Sequence, residues 1–190
     1  MKASVILGFV AMLLAGITVV RAAELKSGLQ PGDLVGAFDV EKRGGAVNDG
    51  KEVGANFCYR CMLGKKPVVM VFARKADNSL AKLVKELDKH VAKNADQKLS
   101  SFVNLLGSNP GELKSKAKDF AAKNQVENVA LVVPQDNENG PAEFNISPDA
   151  EFTVTIYRNG KVAASHAVGT GGLSESEIKS ILADTGKILK

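Results

Sequence analysis

Between Pro67 and Arg74 the chain runs Val68-Val69-Met70-Val71-Phe72-Ala73, six residues without one polar side chain. Neighbouring residues of a β-strand point to opposite faces, so an unbroken apolar run predicts a strand covered on both sides. Such a strand belongs in the middle of a sheet with further layers on each face. The residues after it supply one layer. Leu80, Leu83, Val84, Leu87 and Val91 recur at helical spacing, while Lys82, Lys85, Glu86 and Lys89 take the opposite side. Asp77 or Asn78 is suited to cap this helix.

The same alternation continues. A strand is expected over Leu99 to Leu106, then a helix opened by Asn109-Pro110-Gly111-Glu112, with Asn109 as N-cap, Pro110 at the first helical position and Glu112 closing a capping box. Leu113, Ala117, Phe120 and Ala121 form its apolar stripe, and Val129 to Val133 reads as another short strand. Residues 134–151 form a long loop with three prolines, ordered around Phe144 and Ile146. Phe152 to Tyr157 and Lys161 to Ala167 flank Asn159-Gly160, the signature of a two-residue hairpin. Ser174-Glu175-Ser176-Glu177 is a capping box that starts a last helix with Ile178, Ile181, Leu182 and Leu189 on its apolar face. Ahead of the central strand, residues 23–35 form a loose entry segment. A strand over Ala37 to Glu41 and a return through Lys51 to Phe57, around the turn Asn48-Asp49-Gly50, make an N-terminal hairpin. Helices alternating with strands imply parallel βαβ units, and the closing hairpin adds antiparallel strands. The expected architecture is an α/β mixed sheet with helices on both faces.

The first residues stand apart from this pattern. Lys2 precedes an almost continuous apolar run, Val5 to Val20, and Val20-Arg21-Ala22 offers small or short side chains where a signal peptidase reads. A signal peptide over residues 1–22, cut after Ala22, is expected, leaving one domain over 23–190 and an exported, periplasmic or secreted protein. A retained anchor is the alternative, but the run is shorter than the roughly 20 residues that span a bilayer, and Gly8 and Gly16 weaken it. No membrane association is expected after cleavage.

Cleavage also removes Lys2 and Arg21, so the formal charge of +4 overstates the mature protein. The remaining charges are interspersed, without a basic block or interleaved aromatics, which excludes nucleic acid as the expected partner. The chain has no Trp and 5% aromatic residues, which argues against a carbohydrate- or base-stacking surface.

Three segments resemble the thioredoxin-like superfamily, in its peroxiredoxin- and TlpA-like branch. Lys66 to Phe72 is similar to that branch's central strand, written K-P-V-V-L-V-F-W. Phe152 to Val162 is similar to its P-T-L-x-x-F-x-N-G-x-V hairpin, and Gly32-Asp33-Leu34-Val35-Gly36-Ala37-Phe38 to its entry segment. The resemblance implies a thioredoxin-like mixed sheet with an N-terminal hairpin extension. It also implies where the family's chemistry would lie: a Cys-x-x-Cys directly after the central strand, and a cis-proline facing it. Here those positions read Ala73-Arg74-Lys75-Ala76-Asp77-Asn78, and Phe152 stands where the proline would be. The family's usual activity is therefore not carried over at that place.

The chain's two cysteines form a different motif, Cys58-Tyr59-Arg60-Cys61, ahead of the central strand. Seven residues of strand span roughly 23 Å, which puts the motif near the opposite end of the sheet from the family's site. Three readings compete. In the first, an exported protein uses a redox-active disulfide: Arg60, Lys65 and Lys66 would favour the thiolate, and Cys58 attacks a partner while Cys61 resolves. In the second, the disulfide fixes a loop, although the chain-entropy relation gives about 2 kcal/mol for so short a ring. The third, metal or haem, lacks support: Met62 stands where haem attachment needs His, and His90 and His166 are the remaining zinc-type ligands. The expected function is thiol–disulfide exchange with a protein thiol or disulfide partner and no cofactor, with Cys58, Cys61 and Arg60 as the site. The alternative is a non-catalytic binding module using segment 134–151 or the vacated positions Arg74 to Asn78. His90 is expected at the helix edge, and His166 on the same face as Val162 and Ala164.

Overall fold

The computed structural model describes residues 25–189; the expected signal peptide and its cut after Ala22 lie outside the described residues. Strand β3 (Val68–Ala73) is buried at all six positions. Val69, Val71 and Ala73 enter one apolar core, and Val68, Met70 and Phe72 enter a second on the other face. On one side β3 pairs in parallel with β4 (Ser100–Leu105), which pairs in parallel with β5 (Val129–Pro134). On the other side it pairs antiparallel with β6 (Phe152–Arg158), and β6 pairs antiparallel with β7 (Lys161–Val168). Strands β1 (Val40–Gly44) and β2 (Asn56–Phe57) form the hairpin extension beyond β5, giving the order β2-β1-β5-β4-β3-β6-β7.

One face carries the three long helices. Helix α2 (Asn78–Lys93) begins where Asp77 accepts the amides of Ser79 and Leu80, and it buries Leu80, Leu83, Val84, Leu87 and Val91. Helix α3 (Pro110–Lys123) is capped by Asn109, which accepts the Glu112 amide at 3.1 Å. The reciprocal half of the expected capping box is not formed, because the Glu112 side chain pairs instead with Lys116 at 2.6 Å. Helix α4 (Glu175–Asp184) carries the full capping box between Ser174 and Glu177. All three pack into the core that contains Val69, Val71 and Ala73. Truncating a fully buried leucine there, such as Leu83, is expected to cost about 2–5 kcal/mol.

The other face is covered more thinly, by the entry segment, the five-residue helix α1 (Tyr59–Leu63) and a 3-10 turn at Ala142–Phe144. Aromatic rings fill the space. Phe38 meets Phe72, Phe102 and Phe144 at centroid distances of 6.0, 6.3 and 5.0 Å. Segment 134–151 is thus pinned by a completely buried Phe144.

The strands depart from simple alternation in two places. Strand β1 lies at Val40–Gly44, three residues beyond the expected Ala37 to Glu41, because Lys42 is accommodated inside. In β7 the register steps from Ile156↔Ala164 to Tyr157↔Val162, so Ala163 is an extra residue in a bulge. His166 therefore shares a face with Ala164 but not with Val162, which packs into the second core. The β6–β7 turn is as expected: Asn159 and Gly160 both adopt positive φ, 55° and 71°, the pattern of a type I′ turn.

Candidate functional site

Cys58 is the N-cap of α1, in extended conformation, and its Sγ accepts the amide N–H of Cys61 at 3.0 Å. The two residues are disulfide-bonded, with Cα atoms 5.2 Å apart. The ring thus closes the first turn of the helix. Cys61 is exposed and Cys58 half-buried, so the more accessible partner is the second cysteine and not the first.

The residues between and after them turn inward. Tyr59 is 3% exposed, stacks on Phe102 at 5.1 Å and lies against Phe57 at 4.5 Å. Its hydroxyl donates to Asp49 Oδ2 in the β1–β2 loop. Asp49 Oδ1 in turn accepts Lys42 Nζ at 2.6 Å and the Lys51 amide at 2.8 Å. The Lys42 ammonium completes its shell with the carbonyls of Ala46 and Lys51, at 3.0 and 2.8 Å. Burial, and secondarily the Asp49 carboxylate, hold the Tyr59 phenol well above its ordinary ionisation range. It stays a neutral donor at every physiological pH. Sequence patterning marks Asn48-Asp49-Gly50 as a turn, but nothing local reveals that Asp49 reaches both a buried lysine and the tyrosine of the cysteine motif.

Arg60 points elsewhere. Its Nε donates to the carbonyl of Val35 at 3.0 Å, and its guanidinium lies over Gly160 so closely that a Cβ there would sit 2.3 Å from Nη2. It fastens α1 to the entry segment and to the β6–β7 turn. Leu63 is buried, Met62 packs against the second core, and Gly64 ends the helix with φ 58°. Exposed Lys65 and Lys66 follow, and Lys51 Nζ stands 5.1 Å from the Phe57 ring centroid. Beside α1 opens a cleft of about 400 Å³ lined by Met62, Leu63, Lys66, Val91 and Lys98 among others.

At the opposite end of β3, the residues at the position where the resemblance placed a Cys-x-x-Cys are engaged in structural contacts. Arg74 Nη1 donates to the Glu138 carbonyl at 2.8 Å, and Nη2 reaches Ser147 O at 3.4 Å. Lys75 forms an ion pair with Glu151. Phe152 lies opposite Ala73 and is fully buried. A cleft of about 630 Å³ flanks these residues and runs from the N-terminal end of α2 along α3 as far as Asn124. His90 Nε2 is bonded to Thr185 Oγ1 at 2.8 Å, and His166 Nε2 lies 3.1 Å from Asp184 Oδ2. Both histidines are committed to the α4 side of the molecule. No helix among the described residues is long and apolar enough to cross a membrane.

No family model matches the chain, and no curated protein does. Solved structures do. A protein assigned as the thiol:disulfide interchange protein DsbE from Chlorobium tepidum aligns with a TM-score of 0.60 at 18% identity, over 83% of this chain and 99% of that one. One assigned as a protein disulfide isomerase from Bacteroides thetaiotaomicron gives 0.61 at 16%, over 87% and 94%. The peroxidoxin BcpB from Mycobacterium tuberculosis gives 0.61 at 16%, over 85% and 99%.

Proposed function

On a thioredoxin-like fold whose usual cysteine positions hold other residues, we propose that this chain is an exported thiol–disulfide exchange protein acting through Cys58 and Cys61. The observation that carries this reading is the setting of the disulfide. It lies at the surface, with Cys61 exposed and with a backbone N–H already aimed at Cys58 Sγ. A thiolate arriving from outside attacks Cys61 Sγ and the Cys58–Cys61 bond breaks. Its electron pair stays on Cys58, where the Cys61 amide hydrogen bond stabilises the departing thiolate. A second thiolate of the partner then attacks the mixed disulfide. The partner leaves as a disulfide, Cys61 is released, and two electrons have passed to this chain. Run backwards, the same steps oxidise the chain's thiols and reduce the partner, so Cys61 makes the mixed disulfide and Cys58 resolves it in both directions. This order reverses the one expected from the sequence.

A staple is poorly motivated at this place. Tyr59, Leu63 and Arg60 already anchor α1 to the rest of the fold, and a four-residue ring contributes about 2 kcal/mol through chain entropy. Arg60 serves as a positioning residue, holding the turn that carries both sulfurs while its charge, with Lys65 and Lys66, favours the thiolate.

Export follows from the signal-peptide pattern of residues 1–22 and suits a stable disulfide; N-terminal sequencing of the protein from an extracytoplasmic fraction checks it, with residue 23 as the expected start. The function is tested by the reduction potential of the pair, measured by thiol trapping in graded glutathione buffers. A potential of roughly −120 to −270 mV supports exchange, and one below about −300 mV marks an inert bond.

A second reading, a binding module without turnover, draws on the cleft of about 630 Å³ at the vacated end of the sheet. In-cell function that survives Cys58→Ser and Cys61→Ser selects it.

A further inference from the structure

We infer that the exchange partner presents its reacting cysteine in an acidic polypeptide segment, bound against a cationic rim around the Cys58–Cys61 disulfide. This inference rests on the exchange reading and adds the chemistry of the partner. The cations are Lys51, which stands over the ring of Phe57 beside Cys58, Arg60 between the cysteines, and Lys65 and Lys66 directly after α1. Lys51, Lys65 and Lys66 are exposed and take part in no ion pair among the described residues. Arg60 is held by a carbonyl, so its charge is also uncancelled.

The carboxylates nearby neutralise this rim only in part. Asp49 is taken by Lys42 and Tyr59. Glu52 and Glu127 are exposed and offset part of this charge, so the four cations Lys51, Arg60, Lys65 and Lys66 stand against two free carboxylates. The cleft of about 400 Å³ beside α1 is mixed in character, lined by exposed Lys66 and Lys98, by the carboxylates of Glu127 and of Asp49 (the latter paired with Lys42), and by apolar Met62, Leu63 and Val91. A cleft of this size takes a few residues of extended chain. Its mixed lining suits a segment with carboxylates flanking an apolar contact.

The charge acts on the chemistry directly. The attacking species is an anion, and flanking carboxylates add to the attraction that brings it to Cys61. Exposed charges are screened beyond about 10 Å at 0.1 M salt, so the preference belongs to low and physiological ionic strength.

The test uses the full oxidised chain and three five-residue peptides with a central cysteine flanked by pairs of glutamate, glutamine or lysine. Reduction of Cys58–Cys61 is followed by thiol trapping. Each rate is divided by the same peptide's rate on the uncharged disulfide of 2-mercaptoethanol, which removes differences in intrinsic thiol reactivity. At about 10 mM salt the glutamate peptide is expected to react about fivefold faster than the glutamine peptide, and the lysine peptide slower than both. At about 1 M salt the three rates converge. A double variant, Lys65→Gln with Lys66→Gln, should lose most of the glutamate preference; both side chains are exposed, and an unchanged circular-dichroism spectrum verifies the fold. Equal normalised rates at low salt, with every peptide reducing the disulfide, would overturn the acidic partner and leave exchange standing. Failure of all three peptides to reduce it removes exchange and acidic partner together.

Discussion

The hydroxyl of Tyr59 donates to the carboxylate of Asp49, and through it the helix that carries both cysteines is tied to the buried ammonium of Lys42. Each member of this chain satisfies the next. Removing a neutral end and removing the central charge should therefore differ in cost. Tyr59→Phe deletes one hydrogen bond to a charged group and keeps the stacked ring, an expected loss of about 1.5–3 kcal/mol. Asp49→Asn leaves Lys42, 2% exposed, without its counter-charge, for which about 3–5 kcal/mol is expected. Urea denaturation of the oxidised proteins measures both, and a smaller loss for Asp49→Asn than for Tyr59→Phe would contradict a network centred on the carboxylate.

The order of the cysteines is open to a direct check. With Cys58→Ser the exposed Cys61 remains and should form a stable mixed disulfide with an aromatic disulfide reagent. With Cys61→Ser the half-buried Cys58 remains and should react about tenfold more slowly at equal pH. Stopped-flow absorbance gives both rates. Faster reaction by the lone Cys58 would restore the order expected from the sequence.

Acid should loosen the C-terminal end. Burial first, then Lys93, lower the His90 imidazole below its ordinary value of 6.5, so the folded state favours the neutral ring bonded to Thr185. A depressed folded-state value gives stability that is present above pH 6.5 and lost as pH falls below it. Thermal midpoints should therefore fall between pH 7 and 5, and less steeply in His90→Gln. Identical slopes in the two proteins would remove His90 as a source of the effect.

Segment 134–151 owes part of its order to Arg74, which bridges the carbonyls of Glu138 and Ser147. Arg74→Ala should raise the rate of limited proteolysis within this segment by about tenfold, corresponding to about 1.4 kcal/mol of local opening. The potential of the distant disulfide should stay the same. A change in potential would show that the two ends of β3 communicate.

Much of the fold was legible because its signals are local. Asp77 and Ser174 cap helices as their spacing implies, Asn159-Gly160 turns the hairpin, and the run at Val68 to Ala73 is the buried centre of the sheet. The failures share a cause. Lys42 and Arg43 read as polar loop, and a lysine enters a buried strand position only because three acceptors from residues 46, 49 and 51 converge on it. The bulge at Ala163 leaves no mark in a run of small residues. At the site, the motif itself was plain, but α1 is too short to show periodicity, so neither the capping role of Cys58 nor the exposure of Cys61 could be read. Arg60 entered the site by its place between the cysteines, but its anchoring contacts to Val35 and Gly160 join segments far apart in sequence and could not be read from it.

The outermost strands of the sheet bear on how the protein behaves when concentrated. An open strand edge is a template for the next molecule's backbone, yet β2 at one end is two residues long. At the other end, the start of β7 is already occupied. Gly32 donates to the Val162 carbonyl at 2.9 Å, Val162 donates to Asp33 at 3.0 Å, and Leu34 bridges to Lys161. The entry segment thus shields the front of the long edge strand, and the bulge at Ala163 bends the remainder of β7. A chain in which residues 30–35 were deleted would expose that edge, and self-association by strand addition is the expected consequence.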